Sequence, residues 1–143
     1  METFTQLFER DISSNSVVTK YDTVDVSDNS RFTHRGVMID TARHYLPVES
    51  ITRIIDASKM SKFNVLHLHL VDAQSFPFDS PSSSNIVKGA YSSSATYSTD
   101  DIAYITDYAI SRGIRPVFEI DVPGLKFHFQ SCHTLISWIY FPH

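Results

Sequence analysis

A chain of 143 residues, 42% hydrophobic and 20% charged, has enough apolar content for one domain-sized core. Its net charge of −4 and its unclustered lysines and arginines give no basic surface, which argues against nucleic acid and against a polybasic membrane patch. Cys132 is the only cysteine, so an intrachain disulfide and a cysteine-rich zinc site are both excluded.

The opening METFTQLFERD has neither the basic start nor the apolar run of a signal peptide, so no export signal is expected. No stretch approaches the ~20 apolar residues of a spanning helix, and no Asn-x-Ser/Thr sequon occurs. Residues 1–30 set Phe4, Leu7 and Phe8 ahead of a polar stretch, which predicts a helical turn and one or two short strands. From Phe32 the pattern sharpens. RGVMID, residues 35–40, is a compact apolar run suited to a strand buried on both faces.

LPVESITRIIDASKMSK follows, with Pro47 at a helix start, where its missing N–H costs nothing. Val48, Ile51, Ile54, Ile55 and Ser58 fall on one helical stripe. NVLHLHLV, inside FNVLHLHLVDAQSF (63–76), predicts a second buried strand, and a Ser-rich segment, 73–98, intervenes before the next element. There Thr99, backed by Asp100 and Asp101, suits a helix N-cap and acidic first turn. Ile102, Ile105 and Ala109 supply that helix's apolar face, and Gly113 its stop. IRPVFEID, 114–121, predicts a third strand, in which Pro116 is out of place because it cannot donate to a ladder.

Strand–helix–strand–helix–strand order implies a parallel sheet with right-handed crossovers. The three strands end on Asp40, Asp72 and Asp121, so three carboxylates should gather on one rim. In α/β sheets and barrels that rim is where ligands bind. The alternative is that each aspartate caps its loop or pairs with an arginine. His67 and His69, two apart in a strand, project to one face. They could begin a metal site, as neutral imidazoles do for zinc. That would need further ligands, and His128 and His133 sit on no recognisable strand end. Inward-facing, hydrogen-bonded histidines in a packed layer are the simpler expectation.

Taken together, ETFTQL (2–7), RFTHRGVMIDTARHYLPVESI (31–51), KFNVLHLHLVDAQSFPF (62–78), KGAYS (88–92) and YAISRGIRPVFEIDVPG (108–124) resemble the family-20 β-N-acetylhexosaminidases of lysosomal type. The resemblance implies a (β/α)8 barrel that removes terminal N-acetylglucosamine or N-acetylgalactosamine from glycoconjugates, without a cofactor. It also implies substrate-assisted chemistry, in which the sugar's own acetamido oxygen attacks the anomeric carbon. An Asp-Glu pair after the fourth strand then supplies the proton and orients the acetamido group. Arg43, in DTARHYLP, stands where the family grips sugar hydroxyls, and Asp72 where a second sugar ligand stands. Asp121 and His69 are implied as second-tier rim residues. Family members are often dimeric, and lysosomal or secreted.

Departures accompany the match. Leu68 replaces a tryptophan between the histidines, Ala73 a second aspartate, and Leu125 a histidine. From Leu125 the chain leaves the pattern, apart from a displaced likeness to H-T-L-S-W at 133–138. The dipeptide Asp-Glu occurs nowhere in the 143 residues, so no catalytic residue is assigned. The expected fold is therefore α/β, a partial (β/α)8 TIM barrel with its first three strands and two helices. Residues 1–30 are expected to be a lead-in from an N-terminal domain, 31–124 the first βα units, and 125–143 a divergent tail. An internal slice of this kind, with open edges and an uncovered inner face, is expected to be marginally stable and inactive. Two other functions stay open: a non-catalytic carbohydrate-binding remnant, and a metal-dependent hydrolase built on His67 and His69.

Overall fold

The computed structural model describes residues 2–80 and 89–121. The sequence expectations for Leu125, His128, Cys132, His133 and the rest of 125–143 lie outside the described residues. A helical turn, α1 (Glu2–Thr5), leads into an antiparallel hairpin of β1 (Glu9–Asp11) and β2 (Ser16–Val18). Its turn passes through Asn15, whose φ of 50° is one that asparagine tolerates better than most residues.

The main body is a parallel sheet in the order β3-β4-β7: β3 (Gly36–Asp40), β4 (Val65–Val71) and β7 (Arg115–Ile120). Helix α2 (Val48–Met60) connects β3 to β4, and α3 (Thr99–Ile110) precedes β7. Two-residue strands β5 (Phe78–Asp79) and β6 (Tyr97–Ser98) pair in parallel inside the Ser-rich segment, to which the sequence assigns no element.

Both helices cover one face of the sheet. Ile39, Leu66, Leu68 and Leu70 pack there with Ile51 and Ile55 of α2 and Ile102, Ile105 and Ala109 of α3. Each fully buried Ile or Leu in this layer stabilises the fold by about 1.5–3 kcal/mol. The opposite face carries Met38 and Val117, which are 56% and 38% exposed. The expectation that β3 is buried on both faces thus fails on one. Its run of apolar residues reports the helix-covered side, and Met38 on the other side is left more than half exposed.

Local details follow from backbone chemistry. Ser98, not Thr99, caps α3: its Oγ accepts from Asp101 N at 3.1 Å, and Asp101 Oδ2 accepts from Ser98 N at 2.9 Å. That reciprocal pair is a capping box. Pro47 is the N-cap of α2 rather than its first residue, and its carbonyl accepts from Ser50 N and Ile51 N. Gly113 ends α3 with φ +75° and donates to Ile110 O at 2.9 Å. Pro116 is tolerated for a geometric reason. Arg115 N donates to Asn64 O beside β4, so the next nitrogen along the strand points away, toward the outer edge of the sheet.

Candidate functional site

The carboxyl ends of β3, β4 and β7 share one rim, and an irregularity in β4 decides what stands on it. His69 is opposite Glu119, yet Val71 is opposite Ile120, so β4 carries one extra residue, Leu70. This bulge reverses the alternation of side chains beyond it. Leu70 and Val71 both turn into the helix-covered core, at 2% and 0% exposure. Asp72, which strict alternation would have sent to the helix side, returns to the face of His67 and His69. The bulge is pinned by the residue that follows β3, because His69 O accepts from both Thr41 N at 3.0 Å and Thr41 Oγ1 at 3.1 Å.

A continuous polar network lies on that face. Asp72 Oδ2 meets His69 Nε2 at 3.1 Å and Arg43 Nε at 3.5 Å. Arg43 Nε also meets Asp40 Oδ2 at 2.5 Å. Asp40 Oδ1 accepts from the backbone N–H groups of Ala42 and Arg43, so Asp40 shapes its own turn as well as pairing with the arginine. At the other end, Glu119 Oε2 is shared by His69 Nδ1 at 3.0 Å and His67 Nε2 at 2.7 Å. Among the described residues no three of His, Cys, Asp and Glu are grouped to hold a metal ion.

The network brings Arg43, Asp72 and His69 together with Asp40, another of the three strand-end carboxylates, and adds one residue that was not singled out, Glu119. Asp121 stands one residue past β7, exposed and outside the network. Glu119 was legible in principle: it shares strand parity with Asp121, and in-register pairing puts it beside His69. Only the register could have shown that it, rather than Asp121, faces the histidines.

The charges follow from these contacts. Burial alone would push His69 down, but hydrogen bonds to Glu119 and Asp72 and the surrounding negative charge outweigh it, so the imidazole is held above its ordinary 6.5. The His69 hydrogen bond, aided by Arg43 and the N–H groups of Ala73 and Gln74, holds Asp72 below its ordinary 3.8. Glu119 is held below 4.5, first by His69 and then by His67. Both carboxyls therefore stay ionised. They suit the binding of a polyol and not the protonation of a leaving group, for which a raised carboxyl is needed.

Linkage sets a pH window. The raised His69 contributes stability that is complete below 6.5 and is lost as pH rises through its folded value. The lowered carboxylates contribute stability that is complete above 4.5 for Glu119 and 3.8 for Asp72, and lose it as pH falls through their folded values. The network is at full strength between 4.5 and 6.5. An NMR titration of the histidine rings should put the His69 midpoint above 6.5. A midpoint at or below that value would mean the two carboxylates do not hold the ring.

Residues 32–137 match the family model "Glycosyl hydrolase family 20, catalytic domain", so the match runs past Gly124. The chain is 48% identical over 134 residues to the beta-hexosaminidase subunit beta of Felis catus, covering 92% of this chain and 24% of that protein. It is 44% identical over 124 residues to beta-hexosaminidase 3 of Arabidopsis thaliana, covering 87% of this chain and 23% of that protein. The chain thus spans about a quarter of the length of the curated relatives it matches. Among solved structures, the Flavobacterium johnsoniae chitobiase superposes with a TM-score of 0.71 at 37% identity, over 85% of this chain and 18% of that one. The GH20 exo-β-N-acetylglucosaminidase of Vibrio harveyi, solved in complex with N-acetylglucosamine, gives 0.69 at 27% identity, over 85% and 21%.

Proposed function

The chain belongs to glycosyl hydrolase family 20, and from that premise we propose that it supplies the first three strands, and the sugar-gripping rim, of the (β/α)8 barrel of a β-N-acetylhexosaminidase. The substrates proposed are glycans ending in N-acetylglucosamine or N-acetylgalactosamine, cleaved in the whole enzyme by substrate-assisted catalysis. Arg43 and Asp72 are the sugar ligands. His69 steadies Asp72, and Asp121 completes the rim in a second tier.

One observation carries this proposal: Arg43 and Asp72 meet at 3.5 Å on the carboxyl edge of a parallel sheet, from the loops after β3 and β4. A planar donor fork beside an ionised acceptor matches a vicinal pair of sugar hydroxyls. The Vibrio harveyi structure, bound to N-acetylglucosamine, supports the same sugar class. No Asp-Glu pair occurs in the 143 residues, and both site carboxyls are poised ionised, so the chain by itself is proposed to bind sugar without hydrolysing it.

Lysosomal or secreted placement and dimerisation are carried as part of the same proposal. The pH window of 4.5 to 6.5 over which the network is at full strength fits a mildly acidic compartment. Among the described residues no helix is long and apolar enough to cross a membrane.

Isothermal titration of the 143-residue chain with N-acetylglucosamine, run beside an assay with an aryl N-acetylglucosaminide, tests both halves. Saturable binding with no turnover is the expected result. Turnover would require an acid that the rim does not contain. Absence of binding by a folded chain would remove the sugar site. A stable chain that binds saccharide but has no larger hydrolase to belong to would select the non-catalytic binding module. Stoichiometric zinc would select the metal-dependent hydrolase.

A further inference from the structure

We propose that Glu119 is a positioning residue for the sugar-binding rim: by accepting from both His67 and His69 it fixes the His69 ring with its Nε2–H on Asp72, and so holds Asp72 beside Arg43. The inference rests on the sugar-site proposal above and adds to it a residue outside the Arg43–Asp72 pair.

The argument is geometric. His69 is 6% exposed, and each of its ring nitrogens faces a carboxylate, Glu119 Oε2 at 3.0 Å and Asp72 Oδ2 at 3.1 Å. An ionised carboxylate has no proton to give, so both contacts are satisfied together only when both nitrogens donate, that is, by the imidazolium form of the ring. Remove the acceptor at Nδ1 and that nitrogen loses its reason to keep a proton. The ring is then free to turn or to become neutral, and Asp72 loses a charge-assisted partner.

Other groups face His69 but none duplicates Glu119. From the residue just after β3, Thr41 binds the His69 carbonyl, and from the end of β3 Asp40 adds negative charge while its own oxygens serve Arg43 and the turn. From β4, His67 shares the Glu119 oxygen. From the loop after β4, Asp72 takes Nε2, and Arg43 faces Asp72 rather than the ring. Glu119 is thus the one described group at Nδ1. It reaches that place because β7 pairs in register with β4, Glu119 opposite His69. The placement also explains why the open face of the sheet tolerates a histidine pair with no metal grouping among the described residues. One carboxylate oxygen meets a nitrogen of each ring.

The test uses the full 143-residue chain, with its histidine rings labelled for NMR, and N-acetylglucosamine as the probe. Wild type should show both His69 ring nitrogens protonated near pH 6 and saturable sugar binding. Glu119→Gln keeps the shape and an acceptor oxygen but removes the charge. It should lower the His69 titration midpoint and weaken sugar binding about tenfold, the loss expected for one charge-assisted hydrogen bond. Glu119→Asp, which keeps the charge but withdraws it by one methylene, should fall between the two in both readouts. Arg115→Gln, on the same strand face far from the rim, should leave both unchanged.

Sugar affinity within twofold of wild type in a folded Glu119→Gln variant overturns the positioning role and leaves the sugar site standing. A His69 midpoint that does not move in either Glu119 variant overturns it equally. Wild type that shows the His69 signature but binds no sugar overturns the sugar site, and the positioning role falls with it. Should Glu119→Gln fail to fold, Glu119→Asp decides the matter by the same two readouts.

Discussion

Replacing Arg43 by alanine should weaken N-acetylglucosamine binding by about a hundredfold or more, the loss of two charge-assisted hydrogen bonds to sugar hydroxyls. Arg43 sits half exposed on the rim, and its guanidinium is already oriented by Asp40 at 2.5 Å and Asp72 at 3.5 Å. Its backbone is also held, since Tyr91 Oη donates to Arg43 O at 3.3 Å. A side chain placed this way loses little freedom when a ligand arrives, so nearly all of its contact energy appears as affinity. Arg43→Lys should not restore binding, because a single ammonium cannot reproduce the planar fork. Titration calorimetry on folded variants decides the point. Alanine within a few-fold of wild type would take Arg43 out of the site, whatever its family counterpart does.

Tyr97→Ala should cost about 3–5 kcal/mol of stability, the usual penalty for emptying a large aromatic site. That is a large share of the roughly 5–15 kcal/mol by which small domains are stable. Tyr97 is fully buried, and its ring meets Tyr45 at 4.9 Å. Its hydroxyl donates to Leu46 O at 2.5 Å and accepts from Leu46 N at 3.2 Å. Burial accordingly keeps the phenol well above its ordinary ionisation range, and the backbone contact to Leu46 offsets only part of that. Tyr97 N in turn donates to Pro77 O at 2.7 Å. One residue therefore ties the loop that carries Arg43 to β6, at the entrance of α3. Tyr97→Phe keeps the ring but strands the N–H and carbonyl of Leu46, which should cost about 1–3 kcal/mol. It should also loosen the Arg43 loop enough to weaken sugar binding. Urea unfolding measured beside sugar titration separates the two effects. If Tyr97→Phe matched wild type in both, the hydroxyl would have no part in holding the loop.

Much of this protein was determined by sequence alone, because the relevant forces are local. The 3.6-residue spacing of Ile51 and Ile55, and of Ile102, Ile105 and Ala109, marks two helices, each with its apolar face against one sheet. Short apolar runs ending in aspartate mark the three parallel strands and place their carboxyl ends together. The motifs around Arg43 and Asp72 carry the family. These are properties of neighbours along the chain, and a chain shows its neighbours.

What only the tertiary structure decided depends on pairing between distant residues. The extra residue at Leu70 exists only relative to β7, because a bulge is a mismatch between two strands. Without it, alternation would put Asp72 on the helix side, away from His69 and Arg43. Glu119 is 50 residues beyond His69 in sequence and opposite it in register. Its sharing by two histidines follows from that register alone. Tyr97 lies in a Ser-rich stretch with no periodic signal, and its burial comes from the loop it braces rather than from its own segment. The elements were thus written in short-range pattern, whereas the site was set by strand register, where a one-residue slip sends a side chain to the other face of the sheet.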